Sequence, residues 1–326
     1  MQIEDNIAIT GAAGFIGSYL AGYLNQVGYE NLILIDDFSN EQKAPNLEGK
    51  QYLHKVDRNG FFDWYAQNPG SIQYMFHLGA RTDTTEPDYE IFRELNLEYS
   101  QKIWALCTRH NIPLVYASSA ATYGNGEHGY SDSMADISVL RPLNPYAVSK
   151  QEFDMWAQQQ QDAPPHWAGV KFFNVYGPNE YHKGRMASVV FHAYRQIKEK
   201  GEVKLFRSHN PEFADGEQMR DFIYVRDVAR ICLWLMVQHP GNGLYNAGTG
   251  KARSFKDLVR AIFKVLRKPE NIVYIDTPED IRDKYQYYTQ ADMHQFLQTG
   301  YDRPFCTIED GIREYVAFYL ERNSCF

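Results

Sequence analysis

Asn6-Ile7-Ala8-Ile9-Thr10-Gly11-Ala12-Ala13-Gly14-Phe15-Ile16-Gly17 is the stretch from which the fold of this chain is read. A short apolar run ends at Thr10, and an apolar helix-length segment opens after the glycines. The glycines therefore fall at a strand-to-helix turn, the context that makes such spacing a dinucleotide fingerprint. Glycine permits the tight turn and lets backbone approach a pyrophosphate, while the helix N-terminus supplies free N–H groups and a favourable dipole. Gly11, Gly14 and Gly17 are thus candidate cofactor residues, with Phe15 and Ile16 between them. The plainer alternative is an ordinary turn.

Working outward, apolar runs recur at Asn31–Asp36, Tyr74–Leu78, Leu114–Ala117, Val170–Phe173 and Gly243–Gly248, separated in the first half by helix-length amphipathic segments. Alternating strand and helix signals predict an α/β fold with a doubly wound parallel sheet of the Rossmann type, because parallel strands need crossover helices. The regularity weakens after Asn174. This predicts a dinucleotide-binding domain of residues 1–173 plus 222–250 and a smaller, discontinuous α/β substrate domain of 174–221 plus 251–326.

Asp36, at the end of the second run, lies where a carboxylate commonly accepts hydrogen bonds from the adenosine ribose, which favours NAD. Asp37 follows, and Lys43 stands in a loop that could meet a 2′-phosphate or be a solvated lysine, so NADP stays open beside NAD. Leu78, Gly79 and Ala80, after the third run, are further cofactor candidates.

Of 326 residues, 44% are hydrophobic, enough to bury one large core or two unequal ones. A net charge of -8 gives no basic footprint for nucleic acid. Cys107, Cys232, Cys306 and Cys325 are scattered, without the close pairs of a metal or redox motif, so no metal is expected. No signal-peptide pattern or membrane-length apolar run is present, and the chain reads as soluble and cytoplasmic.

Chemistry concentrates in two segments. Tyr116-Ala117-Ser118-Ser119-Ala120-Ala121-Thr122-Tyr123-Gly124 leaves a strand, and Tyr146-Ala147-Val148-Ser149-Lys150 follows. On a helix Tyr146 and Lys150 share a face one turn apart, an arrangement in which the ammonium is expected to lower the phenol pKa toward neutrality. Tyr146 would then serve as base, Lys150 as its partner, and Ser119 would hold the substrate oxygen. An amphipathic helix that merely carries both residues is the alternative.

Together these motifs resemble the extended short-chain dehydrogenase/reductases that modify nucleotide sugars, over nearly the whole chain. Within them, Asn174-Val175-Tyr176-Gly177-Pro178 followed by His182-Lys183-Gly184-Arg185-Met186-Ala187-Ser188, with the later Tyr285-Gln286 and Thr289-Gln290-Ala291-Asp292, is similar to the ADP-glycero-manno-heptose 6-epimerases. The resemblance implies interconversion of ADP-D-glycero- and ADP-L-glycero-D-manno-heptose by transient oxidation at C6 and hydride return to the opposite face. It further implies NADP as cofactor and self-association, with a pentamer as the family state. Tyr146 matches the first acid/base and Lys183 the second; read without the resemblance, Lys183 is a solvated lysine or phosphate contact. Asn96, Lys150, Val175 and Lys183 are cofactor candidates by the same carry-over, and Ser119, Asn174, Arg185, His192, Phe206, Arg220 and Tyr285 are substrate candidates.

Arg220 suits a diphosphate, or pairs structurally with Asp221 or Asp227; His192 reads equally as a core histidine. Two features depart from the family pattern: Arg185 in place of serine, and a long connection from Ser208 to Met219. The enzymatic alternative is a UDP- or GDP-hexose epimerase or dehydratase. Ala120 and Ala121 stand where a dehydratase commonly carries an Asp-Glu pair, which disfavours water loss. A non-catalytic cofactor-binding protein is the alternative from another class.

Overall fold

The computed structural model describes residues 1–133, 137–282 and 285–326. Its first six strands are β1 (Ile7–Thr10), β2 (Leu32–Asp36), β3 (His54–Asp57), β4 (Tyr74–His77), β5 (Leu114–Ser119) and β6 (Trp167–Phe172). Then come β7 (Asn174–Tyr176), β8 (Val203–Phe206), β9 (Met219–Arg220), β10 (Phe222–Tyr224), β11 (Gly243–Ala247), β12 (Arg253–Ser254) and β13 (Ile272–Ile275). Seven of them form one sheet in the order β11-β6-β5-β4-β1-β2-β3, every neighbouring pair parallel. The doubly wound α/β architecture read from the sequence is present.

The apolar runs that announced these strands are buried on both faces: Ile7, Ala8 and Ile9 on β1 and Leu32 through Ile35 on β2 are all fully covered. Strands sandwiched between helices can be apolar throughout, which is why they read as runs instead of alternations. β3 is different. It is one of the two edge strands, and Val56 is its single buried residue, so no run marked it in the sequence.

The helices that concern the site are α1 (Phe15–Gln26), α2 (Phe61–Gln67), α3 (Tyr89–Phe92), α4 (Tyr99–Arg109), α5 (Pro145–Gln159), α6 (Val189–Lys200), α7 (Val225–Gln238) and α8 (Phe255–Leu266). Helix α5 starts where Asn144 accepts from the Ala147 amide at 2.9 Å and Pro145 takes the first helical position, where its missing N–H costs nothing. Helix α6 begins at Ser188, whose hydroxyl accepts from Phe191 N at 3.3 Å, and ends at Gly201.

Outside the large sheet, β7 pairs with β10, β8 with β13 and β9 with β12. Asp221 links these parts: its buried carboxylate accepts from Thr249 N and Oγ1 (both 2.7 Å), Gly250 N (2.9 Å) and Ala291 N (3.0 Å). The long stretch from Ser208 to Met219 folds back on β8, with Gly216 N donating to Phe206 O and Gln218 Nε2 to the same carbonyl. Among the described residues no helix is long and apolar enough to cross a membrane, and no cluster of His, Cys, Asp and Glu could hold a metal ion.

Candidate active site

The strand order reverses at β1, which pairs with both β2 and β4. Ligands of open α/β sheets sit beyond the carboxyl ends of the strands at such a point. A cavity of about 370 Å³ lies here, lined by Gly11, Gly14, Phe15, Ile16 and Gly17, by Asp36 and Lys43, and by Leu78, Gly79 and Ala80. The backbone explains the glycines. Gly11 has φ +68, and a Cβ there would stand 2.7 Å from the Gly79 backbone; one at Gly17 would meet the carbonyl oxygen of Gly11.

Helix α1 starts without a side-chain cap and with no acidic residue in its first turn, so its N–H groups are left for an anion. This glycine cradle and uncapped helix start fit the diphosphate of a dinucleotide. At the far end Asp36 is committed: Ala13 N donates to it at 2.8 Å, Asp37 N at 2.7 Å and Lys43 Nζ at 2.9 Å. Asp37 lies off the cavity wall, its carboxylate accepting from Ser39 N and Oγ, which hold it below the usual carboxylate range. Arg58, missed in the sequence because it follows the silent edge strand, lines the cavity beside Lys43, its Nε buried without a partner.

A second cavity of about 360 Å³ adjoins the first and shares Phe15, Ile16, Leu78, Ala80 and Lys183 with it. Ser119, Tyr146, Lys150, Asn174, Val175 and Lys183 all line it. Burial raises the Tyr146 phenol above its usual range, and a hydrogen bond with Ser119 works against that rise. The expected lowering by Lys150 is not what the chain alone provides: the Lys150 ammonium donates to Ala117 O at 2.9 Å, and burial drops its own pKa to about 8.

Beneath these residues lies a buried ion pair. Lys171 Nζ on β6 reaches Asp154 Oδ2 on α5 at 2.6 Å, with side chains 1% and 0% exposed. Asp154 also accepts from Ser118 Oγ (2.6 Å) and Tyr116 OH (3.0 Å), and Lys171 donates to Thr122 Oγ1 (2.8 Å). Strand β5, the turn after Ser119 and the helix bearing Tyr146 are thereby tied together. Nearby, His77 sits between Thr10 Oγ1 (2.6 Å) and Ser100 Oγ (2.9 Å), and burial depresses it to about 3.

Lys183 stands on a loop between β7 and α6, its Nζ 5.4 Å from the centre of the Phe15 ring. Burial pulls its amine below the usual lysine range, against Glu180. Glu180 itself is buried and accepts from Ser188 N (2.5 Å), Ser188 Oγ (2.7 Å) and Gly177 N (3.3 Å), which pins the loop to the start of α6.

Other candidates lie outside both cavities. The Asn96 side chain is spent on Arg81 N and O and on Ser149 Oγ, bracing a cavity wall and α5. Arg185 reaches Asp83 at 3.4 Å and also Thr85 Oγ1, and His192 Nε2 lies 3.3 Å from Arg185 O, at the rim and not in the core. Phe206, Arg220 and Tyr285 cluster separately: the rings of Phe206 and Tyr285 meet edge to face at 5.9 Å, with the guanidinium over Tyr285. Arg220 donates to Met219 O and Gln286 O, so it pairs with neither Asp221 nor Asp227.

The model of the NAD dependent epimerase/dehydratase family matches residues 7–248. An ADP-L-glycero-D-manno-heptose-6-epimerase of Fusobacterium nucleatum subsp. nucleatum is 42% identical over 98% of this chain and 99% of its own length. One of Nitratidesulfovibrio vulgaris (strain DP4) is 46% identical over 96% and 97%. The crystal structure of a Helicobacter pylori protein of that name superposes with a TM-score of 0.79 at 28% identity, covering 96% of each chain. With its glycine cradle and its Ser119, Tyr146 and Lys150 at one cavity, the chain belongs to the NAD dependent epimerase/dehydratase family, beside the ADP-L-glycero-D-manno-heptose-6-epimerases.

Proposed function

We propose that this protein is a nucleotide-sugar epimerase that interconverts ADP-D-glycero- and ADP-L-glycero-D-manno-heptose at C6. The observation that carries the reading is that Tyr146 with Ser119 and, separately, Lys183 line one cavity that adjoins the glycine cradle. Full-length likeness to relatives bearing that name supports the substrate. A bound oxidised nicotinamide supplies a reversible two-electron oxidant and a positive charge that favours the phenolate.

The remaining work falls to the chain. Ser119 orients the reacting hydroxyl, and Tyr146 Oη exchanges its proton when that hydroxyl points one way. Once hydride has returned to the opposite face of the C6 ketone, the new alkoxide points to the other side, where a second group must supply its proton. Lys183 Nζ takes that role, because burial brings its amine toward the neutral form a base requires.

NADP is the proposed cofactor. Lys43 and Arg58 stand where a ribose 2′-phosphate would be met, and Lys43 already neutralises Asp36, the group that would repel it. Residues 174–221 with 251–326 form the proposed substrate part, and self-association, as a pentamer, and a cytoplasmic setting belong to the same reading.

The test is NMR of purified protein with ADP-heptose epimers and, in parallel, UDP- and GDP-hexoses. Inversion at heptose C6 is expected, lost in Tyr146→Phe/Lys183→Met while NADP binding persists. Turnover of the hexoses alone, or retained turnover in the double variant, overturns the reading.

A further inference from the structure

The outer face of α1 carries more than the cofactor cradle. Lys183 Nζ lies over Phe15, and one turn further along the helix the ring of Phe326 stacks on Tyr19, with centroids 4.1 Å apart and planes 16° from parallel. Gly22, one turn further again, leaves the space: a Cβ there would come within 2.9 Å of Phe326. Between the two seats, Ser18 Oγ accepts from Asn179 Nδ2 at 2.9 Å. The start of the Lys183 loop and the Ser324–Phe326 segment therefore share one helix face.

They also bond to each other. Phe326 N donates to Asn179 Oδ1 at 2.8 Å, Tyr181 OH donates to Ser324 O at 2.8 Å, and Lys50 Nζ donates to Phe326 O. The turn bearing Lys43 joins in through Asn46, whose amide donates to Asn179 O (3.1 Å) and Ala13 O (2.9 Å) and whose Oδ1 faces Cys325 Sγ at 3.4 Å. Asn179 is held at φ +76, a left-handed backbone that asparagine tolerates better than most residues but that still needs its surroundings to fix it.

We propose that Ser324–Phe326 is a positioning strap for the Lys183 loop: Phe326, seated on Tyr19 and Gly22, fixes Asn179 and sets Ser324 O to hold Tyr181, and so keeps Lys183 over the first turn of α1. The strap lines neither cavity; it reaches Lys183 through Asn179 and Tyr181 and the Lys43 turn through Asn46. Its catalytic consequence rests on the proposed role of Lys183; its mechanical consequence does not.

The test uses the full chain with NADP bound. In Phe326→Ala, amide exchange is expected to speed up over residues 179–186 and to stay unchanged in β1 and β4. The turnover number is expected to fall ~10-fold, the size of loss that misplacing a reacting group by a fraction of an ångström produces. KM for the nucleotide sugar and the Kd of NADP are expected to change by no more than about twofold, since the glycine cradle and the wall bearing Ser119 and Tyr146 are untouched. Phe326→Tyr, which keeps the ring stack, restores both exchange and turnover. If the alanine variant does not fold, Tyr181→Phe, which removes one hydroxyl, gives the same exchange change at smaller size.

Unchanged exchange over 179–186, or faster exchange with unchanged turnover, overturns the inference. A Lys183→Met protein that still turns over overturns the proposed reaction instead, and leaves the exchange result standing.

Discussion

On the sheet side of the cleft, Gly11, Gly14, Gly17 and Asp36 come from one strand–helix–strand unit and act through backbone geometry, with the backbone of Gly79 closing against Gly11. On the opposite side, the loop from Asn179 to Met186 is held by Ser18, Asn46, Ser188 and Phe326, drawn from the whole chain. The first wall is rigid because little else fits. The second is rigid because many separate contacts agree, so each can be loosened without losing the fold. A site built this way keeps its cofactor seat fixed while the substrate side is free to vary.

Three changes would break or sharpen that contrast. The largest effect is expected from Gly17→Val, which drives a branched side chain into the Gly11 carbonyl. Binding of the nicotinamide dinucleotide should be lost beyond ~100-fold, more than about 2.7 kcal/mol, as measured by equilibrium dialysis. A variant that binds normally would show that the cradle is less rigid than its contacts require.

The second concerns acid. His77 is nearly fully buried and depressed to about 3, whereas an unfolded histidine titrates near 6.5. A depressed base contributes stability that is whole above the unfolded value and is lost as pH falls below it. From about pH 6.5 toward pH 3 this one histidine should cost about 1.4 kcal/mol per pH unit. Chemical denaturation of the protein and of His77→Gln across that range would separate its share; equal slopes for both would remove His77 from the account.

The smallest effect is expected from Arg185→Ser. Its guanidinium side chain is 68% exposed and its partner Asp83 lies 3.4 Å away, a pair of the kind that contributes little. Stability should stay within ~0.5 kcal/mol and turnover within about threefold. A larger fall in turnover alone would make the rim arginine a substrate contact.

The same contrast explains what the sequence could reveal. Strands β1, β2, β4, β5, β6 and β11 were legible because burial on both faces makes them apolar runs, and Ser119, Tyr146 and Lys150 because their spacing is local. β3 escaped because only Val56 is buried, and Arg58 escaped with it. Asn46, Asn179 and Phe326 carry no signal at all. The bonds Asn46–Asn179, Asn179–Phe326 and Asn46–Cys325 bridge 133, 147 and 279 residues, and no periodicity or spacing encodes such a meeting. Asn96 and Arg220, candidates carried over from the family resemblance, make their hydrogen bonds in this chain to Arg81, Ser149, Met219 and Gln286.

The Lys171–Asp154 pair has a consequence for the solution in which the protein works. Counter-ions screen charges they can approach, with a Debye length near 8 Å at about 0.15 M salt, but a pair this thoroughly buried lies behind protein on every side. The frame that aligns Ser119 with Tyr146 is therefore indifferent to ionic strength, while the half-buried flank of Lys43 and Arg58, which solvent reaches, is not. Raising salt should weaken the hold on phosphates and leave the alignment of the reacting groups untouched.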